Sequence, residues 1–208
     1  MGSASEIAIA QHWDRAYGRG SATPSWFQAQ PLPSLRMLDA AGVCPADSLI
    51  DVGGGASTLV DALLQRGHSD LTVLDISSHG LHIAQRRLRD DARRVRWLVA
   101  DLLTWRPHRS WQVWHDRAVL HFFTSDAARQ RYVRALDTAT TTGSLAILAT
   151  FAPDGPQRCS GLPVARYDTA QLAALLGSHW RLLTHTREEH TTPAGVTQPF
   201  IWTAFRRA

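Results

Sequence analysis

The sequence predicts a doubly wound α/β fold: a seven-stranded sheet in which five parallel strands are closed by a C-terminal antiparallel hairpin. Three observations carry this. Short apolar runs alternate with stretches of helical spacing from Ser48 to Thr150, the pattern of parallel strands joined by crossover helices. The first apolar run ends in glycines that open a helix. The last two apolar runs are separated only by Pro193-Ala194-Gly195, too short for a helix, so they pair antiparallel.

The first 45 residues are polar and aromatic, and Pro24, Pro31 and Pro33 divide them into short pieces. Residues 1–5 are small and polar and are expected to lie outside the fold. Ser48–Val52 reads as the first strand and Thr58–Arg66 as a helix with Leu59, Leu63 and Leu64 on one side. Leu71–Leu74, Val95–Val99, Gln112–His115 and Leu145–Thr150 read as further strands. Ser78–Arg89 and Ala127–Thr138 are the helices between them, the second with Val133 and Leu136 facing in. Asp168–Leu176 is a helix with Asp168 or Thr169 as its cap. Trp180–Arg187 and Pro199–Phe205 form the closing hairpin. The chain divides into an N-terminal helical and aromatic segment, 1–45, and one domain over 46–208.

A length of 208 residues suits one domain with a sizeable core. Charged residues make up 19%, too few for a disordered chain. Every basic residue is arginine and the formal net charge is +4. The densest run, Arg86 through Arg94, reads as the solvated side of a helix, so no nucleic-acid partner is expected. Cys44 and Cys159 lack metal-ligand spacing, so no metal is expected. No apolar run approaches the ~20 residues of a membrane span, and the N-terminus lacks a secretory pattern. A cytoplasmic protein with no membrane partner is the expectation. Eight tryptophans are many for this length, and some are expected to line a binding cavity.

The chemistry concentrates at strand ends. In Leu49-Ile50-Asp51-Val52-Gly53-Gly54-Gly55-Ala56-Ser57 a strand runs into a glycine turn, where backbone and ligand can approach closely. Gly53 and Gly55 fit the first two positions of a dinucleotide-binding loop, but Thr58 stands where its third glycine belongs. Asp51 would repel a pyrophosphate and attract an ammonium, which disfavours a nicotinamide-dependent oxidoreductase. Asp75 ends the second strand, where a carboxylate can accept both hydroxyls of a ribose. Asp101 ends the third, where it can accept from an adenine amino group. Open α/β sheets bind ligands at these carboxyl ends.

With these residues in place, the sequence resembles class I S-adenosylmethionine (SAM)-dependent methyltransferases, a Rossmann-like family. IDVGGGAS resembles their first motif, VLDIS their second and VADL their third. The resemblance implies a SAM site in which Asp51, Gly53, Gly54, Gly55 and Ser57 meet the methionine part, Asp75 the ribose, and Ile76, Asp101 and Leu102 the adenine. It also implies an N-terminal cover over the cofactor, for which Trp13, Tyr17 and Trp26 are the candidates. WHDRAVLHFF and ATFAPDGPQRCSGLPVARYD resemble a group of small bacterial methyltransferases within that class.

On the acceptor side, methyl transfer needs a nucleophile held in line in a dry pocket, with a base nearby if the nucleophile carries a proton. His121, His115 and Asp116 are the candidate catalytic groups, His121 leaning into the cleft from beyond the fourth strand. Asp116 and Arg117 are a candidate ion pair shaping that loop. Arg158 and Arg166 are candidate clamps for a substrate oxyanion; Trp26, Phe27, Arg117, Cys159 and Tyr167 are further candidates for substrate contact. The leading reading is a methyltransferase for a small molecule. The alternatives are a protein-lysine methyltransferase of the same fold and a non-catalytic SAM-binding regulator.

Overall fold

The computed structural model describes residues 4–18 and 24–208. The expectation for residues 1–5 falls partly outside these. Ala4 and Ser5 belong to the first helix, α1 (Ala4–Tyr17), and are not excluded from the fold. The order then runs α2 (Leu32–Ala40), β1 (Leu49–Val52), α3 (Leu59–Gln65), β2 (Leu71–Asp75), α4 (Ser78–Leu88), β3 (Val95–Val99), β4 (Val113–Arg117), α5 (Asp126–Thr138) and β5 (Leu145–Phe151). A two-stranded ribbon, β6 (Arg158–Cys159) and β7 (Leu162–Pro163), precedes α6 (Thr169–Leu176), β8 (Trp180–Thr191) and β9 (Thr197–Arg207).

The main sheet has seven strands in the order β3-β2-β1-β4-β5-β9-β8. The first five are parallel, and β9 runs antiparallel to both β5 and β8. The predicted architecture is therefore present. Chain order reverses at β1, which pairs with β2 on one side and β4 on the other, and a cleft opens at such a switch point.

Alternation along the strands builds two cores. Leu49 of β1 packs with Leu35, Leu38, Leu59, Leu63 and Leu81 from α2, α3 and α4. Ile50 and Val52 point the other way, to Tyr132 and Leu136 of α5 and Leu172 and Leu176 of α6. Val133 flanks this second cluster, and Tyr132 and Ala135 hold the positions beside Leu136 that face fully inward. Side chains cap the helix starts: Ser77 and Ser125 cap α4 and α5, and Asp168, one of the two residues expected there, forms a capping box with Gln171 at the start of α6.

The hairpin strands are longer than the apolar pattern suggested, because polar edge residues continue the ladder to Thr191 and back from Thr197. The segment read as one long loop after β5 folds on itself as β6 and β7, with Ser160 and Gly161 at positive φ in the turn. Among the described residues no helix is long and apolar enough to cross a membrane.

Candidate active site

β1 delivers the glycine loop and two carboxylates frame it. Gly53 and Gly55 have φ of +68° and +44°, a region side chains with a Cβ disfavour. A Cβ on Gly53 would lie 2.0 Å from a Val119 methyl, and one on Gly55 would lie 1.9 Å from the Tyr17 hydroxyl. On Gly54 it would meet Asp51 Oδ2 and a Val73 methyl, each at 2.6 Å. All three glycines are thus demanded by close approach.

Asp75 ends β2 with its carboxylate accepting from the Ser77 N–H at 2.7 Å and from the Gly55 N–H. Burial pushes its pKa up to about 7. Asp101 follows β3 and accepts from the Leu103 N–H at 2.9 Å, which fixes its carboxylate. Asp75, Ile76, Ala100, Asp101 and Leu102 line one end of a cavity of about 450 Å³, within the usual size for a small-molecule site. Gly53, Val119, Phe122, Cys159 and Leu162 continue its wall toward the other end.

A second cavity of about 320 Å³ lies beside the glycine loop, and Asp51, Gly54, Ser57, His115 and Phe27 contribute to its wall. Tyr17, Trp26, Gly53 and Arg117 border both cavities.

The N-terminal segment contributes Ile9, Trp13, Tyr17 and Trp26 to the cavity walls. Asp14 of α1 accepts from the Ser77 hydroxyl at 2.6 Å and the His79 N–H at 3.2 Å, tying α1 to the start of α4. Trp13 packs edge-on against Trp26 and Phe122, and Tyr17 edge-on against Trp26. Burial raises the Tyr17 phenol well above its ordinary pKa, and the nearby Asp75 adds to this. Trp13 and Trp26 are the two tryptophans at the cavities; Trp111, Trp114, Trp180 and Trp202 are buried core residues instead.

Residues 24–28 are held by long-range bonds. Gln28 Nε2 donates to Glu188 at 2.8 Å, His190 Nε2 to the Ser25 carbonyl at 2.8 Å, and Arg117 Nη1 to the Trp26 carbonyl at 2.8 Å.

The candidate catalytic residues are placed differently from expectation. His121 does not lean into the cleft. It is fully buried, with its ring 4.5 Å from Phe122 and 4.7 Å from Phe151, and it forms no part of either cavity wall. Neither ring nitrogen has a partner, and burial pulls its pKa down to about 3. The cause of the misplacement is the short 3₁₀ turn Leu120–Phe122, which rotates His121 onto the sheet.

His115 borders the second cavity, but its Nδ1 donates to Asp51 at 2.7 Å and its Nε2 accepts from the Ser34 hydroxyl at 3.1 Å. Asp116 is fully buried on the opposite face of β4 and accepts from the Tyr132 hydroxyl at 2.7 Å and the Val119 and Leu120 N–H groups at 2.8 and 3.1 Å. It shapes the loop after β4 and touches neither cavity.

Asp116 and Arg117 do not pair, because successive strand residues point to opposite faces. Arg117 lies instead over the Phe200 ring, 5.2 Å from its centroid. Ala118, next along, takes φ +71° and borders the first cavity; strain of this kind concentrates at ligand sites.

Arg158 is exposed and folds back on the Gly161 carbonyl, and Arg166 donates to the Gly155 carbonyl at 3.3 Å. Neither reaches a cavity wall, and Tyr167 is buried in the second core. Cys159 does reach the cavity, and burial raises its thiol pKa. Ile9 borders the cavity without having been singled out; its apolar character carries no local signal for it.

The residues fit the methyl donor that the motifs imply. A buried carboxylate with fixed orientation, apolar Ile76 and Leu102, and the first glycine of the loop all line one cavity, a set of groups that suits a ribose diol and an adenine face.

Comparison with known proteins agrees with this geometry. Residues 49–143 match a family model described as a methyltransferase domain. Among curated proteins, no relative matches the chain. Among solved structures it is similar to a SAM-dependent methyltransferase from Anabaena variabilis, at 15% identity and a TM-score of 0.74, covering 100% of this chain and 96% of that one. It is similar to the 1,6-didemethyltoxoflavin-N1-methyltransferase of Burkholderia thailandensis, solved with that compound and S-adenosylhomocysteine, at 18% identity and a TM-score of 0.69, covering 100% and 92%. It is also similar to the N-methyltransferase NodS of Bradyrhizobium japonicum, at 13% identity and a TM-score of 0.70, covering 95% and 97%. At these identities the likeness is one of fold. Residues 49–143 match a methyltransferase domain, and the chain has the fold of the SAM-dependent methyltransferases it is similar to.

Proposed function

We propose that this protein transfers the methyl group of SAM to a small-molecule acceptor. The observation that carries the reading is a cavity whose one end is built from Asp75, Ile76, Asp101 and Leu102 and whose other end is walled by Phe122, Cys159, Leu162 and Pro163 beneath the N-terminal segment. With one end of this cavity of about 450 Å³ given to the cofactor, the remaining space suits a small acceptor. Two structural neighbours, the didemethyltoxoflavin and NodS enzymes, are named as N-methyltransferases, the first solved with 1,6-didemethyltoxoflavin bound. The wording of WHDRAVLHFF supports membership in a group of small bacterial methyltransferases.

When bound, SAM supplies an electrophilic methyl group on a sulfonium. The chain's own residues do the rest. Asp75 accepts from the ribose hydroxyls, Asp101 from the adenine amino group, and Ile76 and Leu102 take the adenine faces. Asp51, oriented by His115, holds the ammonium end beside Gly53, Gly54 and Ser57. Trp13, Tyr17 and Trp26, within the N-terminal segment 1–45, act as a lid that excludes water from the sulfonium. With water excluded, positioning and desolvation supply the rate.

The test is to incubate the protein with methyl-labelled SAM and fractionated cell extract. Label is expected in small molecules. Label in protein would replace this reading with a protein-lysine methyltransferase, and SAM binding without any transfer would favour a regulator.

A further inference from the structure

Arg117 is the one basic side chain that borders both cavities without a carboxylate partner among the described residues. Its Nη1 donates to the Trp26 carbonyl, while Nε and Nη2 are buried with no partner. The acids nearest to it are engaged elsewhere. Glu188 accepts from Trp202 Nε1 at 2.6 Å and Gln28 Nε2 at 2.8 Å, and Asp51 accepts from His115 at 2.7 Å. A buried guanidinium with two idle nitrogens is costly unless something completes it, and a carboxylate matches its forked donors bidentately.

Position decides what completes it. The nucleoside contacts come from β2 and β3, whereas Arg117 ends β4 on the other side of β1. There it stands with Phe200, Cys159 and the aromatic lid residue Trp26. The two arginines expected to clamp an oxyanion, Arg158 and Arg166, are spent on backbone carbonyls outside the cavities. No histidine borders the larger cavity, and its two aspartates, Asp75 and Asp101, are assigned to the nucleoside, so a proton-bearing nucleophile would find no free base there; an acceptor that arrives as an anion needs none.

We propose that the acceptor is a small molecule with an apolar, aromatic-sized body and one carboxylate or similar oxyanion, and that Arg117 seats that charge. This rests on the methyltransferase reading above and names its substrate class.

The test uses the full chain saturated with S-adenosylhomocysteine and two probes of equal shape, phenylacetate and its neutral amide phenylacetamide. Binding is followed by calorimetry. Phenylacetate is expected to bind at least about tenfold more tightly than the amide. Arg117→Met should abolish that preference and leave SAM affinity within about twofold. Arg117→Lys keeps a charge but not the fork, and should retain a reduced preference; it also serves if the Met variant does not fold. Equal affinity of the two probes for the unaltered protein, or failure of both to bind, overturns the proposal. A large loss of SAM affinity in Arg117→Met with the probe preference intact also overturns it, because the guanidinium then holds the cofactor's own carboxylate. Failure of the unaltered protein to bind SAM at all overturns the methyltransferase reading instead, so the two failures are separable.

Discussion

Asp51 and His115 sit opposite one another in register on β1 and β4, and His115 Nδ1 donates to the Asp51 carboxylate at 2.7 Å. The Ser34 hydroxyl donates to the other ring nitrogen at 3.1 Å. Both ring nitrogens are engaged by protein partners, so neither is turned toward a substrate. Its role is to aim the carboxylate that underlies the glycine loop.

His115→Phe should therefore act on stability first. It leaves a buried carboxylate and a buried hydroxyl without their partner, a loss of about 1–3 kcal/mol. Urea unfolding should show this loss, and SAM affinity should fall with it because Asp51 loses its orientation. Unchanged unfolding with reduced turnover would instead make His115 a catalytic base.

Asp75 links cofactor binding to pH. Burial raises its pKa to about 7 in the free protein. Ribose hydroxyls donate to the carboxylate and the sulfonium carries positive charge, so binding favours the ionised form. SAM affinity should then rise with pH up to about 7, approaching tenfold per unit below that, and level off above it. Asp75→Asn should flatten this profile in calorimetry and weaken SAM by about 1.5–3 kcal/mol, roughly 10- to 150-fold.

The cavity end proposed for the cofactor was legible in the sequence because its determinants are local. Asp51, the glycines, Asp75 and Asp101 each sit at a strand end within a few residues of the turn they shape, and the hydrophobic period marks those ends. The acceptor end was not, because its contacts span the chain. Arg117 meets Trp26 across 91 positions and Gln28 meets Glu188 across 160. Asp116 and Arg117 look like a pair on paper, yet strand alternation sends one to Tyr132 and the other to Phe200. His121 misled for a related reason: a single 3₁₀ turn decides which way a residue just past a strand points, and composition does not encode that turn.

His121 is accordingly expected to behave as a core residue. Its ring fills space between Phe122 and Phe151 with two unpartnered nitrogens. His121→Phe replaces it with a ring of similar shape and removes two unsatisfied polar atoms, a change that is neutral or stabilising. Its melting temperature should match or exceed that of the unaltered protein, with methyl transfer retained. His121→Ala should lower the melting temperature by leaving a cavity worth about 2–4 kcal/mol. Lost transfer in a stable His121→Phe protein would restore His121 as a base.

Asp116 provides a stability signal with a definite sign. Its carboxyl is fully buried and burial raises its pKa to about 6, although the Tyr132 hydroxyl and two backbone N–H groups pull the other way. An unfolded aspartate titrates near 3.9. Between about pH 4 and pH 6 the folded chain thus holds a proton that the unfolded chain has lost. Stability from this group is greatest below pH 4, declines as pH rises to about 6, and is flat beyond, the reverse of an ion-paired aspartate. The two-unit difference corresponds to about 3 kcal/mol. Asp75, with its pKa raised to about 7, titrates close to this range, so the measurement is a difference between the unaltered protein and Asp116→Asn, which cannot titrate. Urea unfolding of both at a series of pH values from 4 to 7 should show the stability of the unaltered protein falling relative to the variant as pH rises to 6, then running parallel. A difference that does not change with pH would mean that Asp116 is ionised throughout, its charge fully met by Tyr132 and the loop N–H groups.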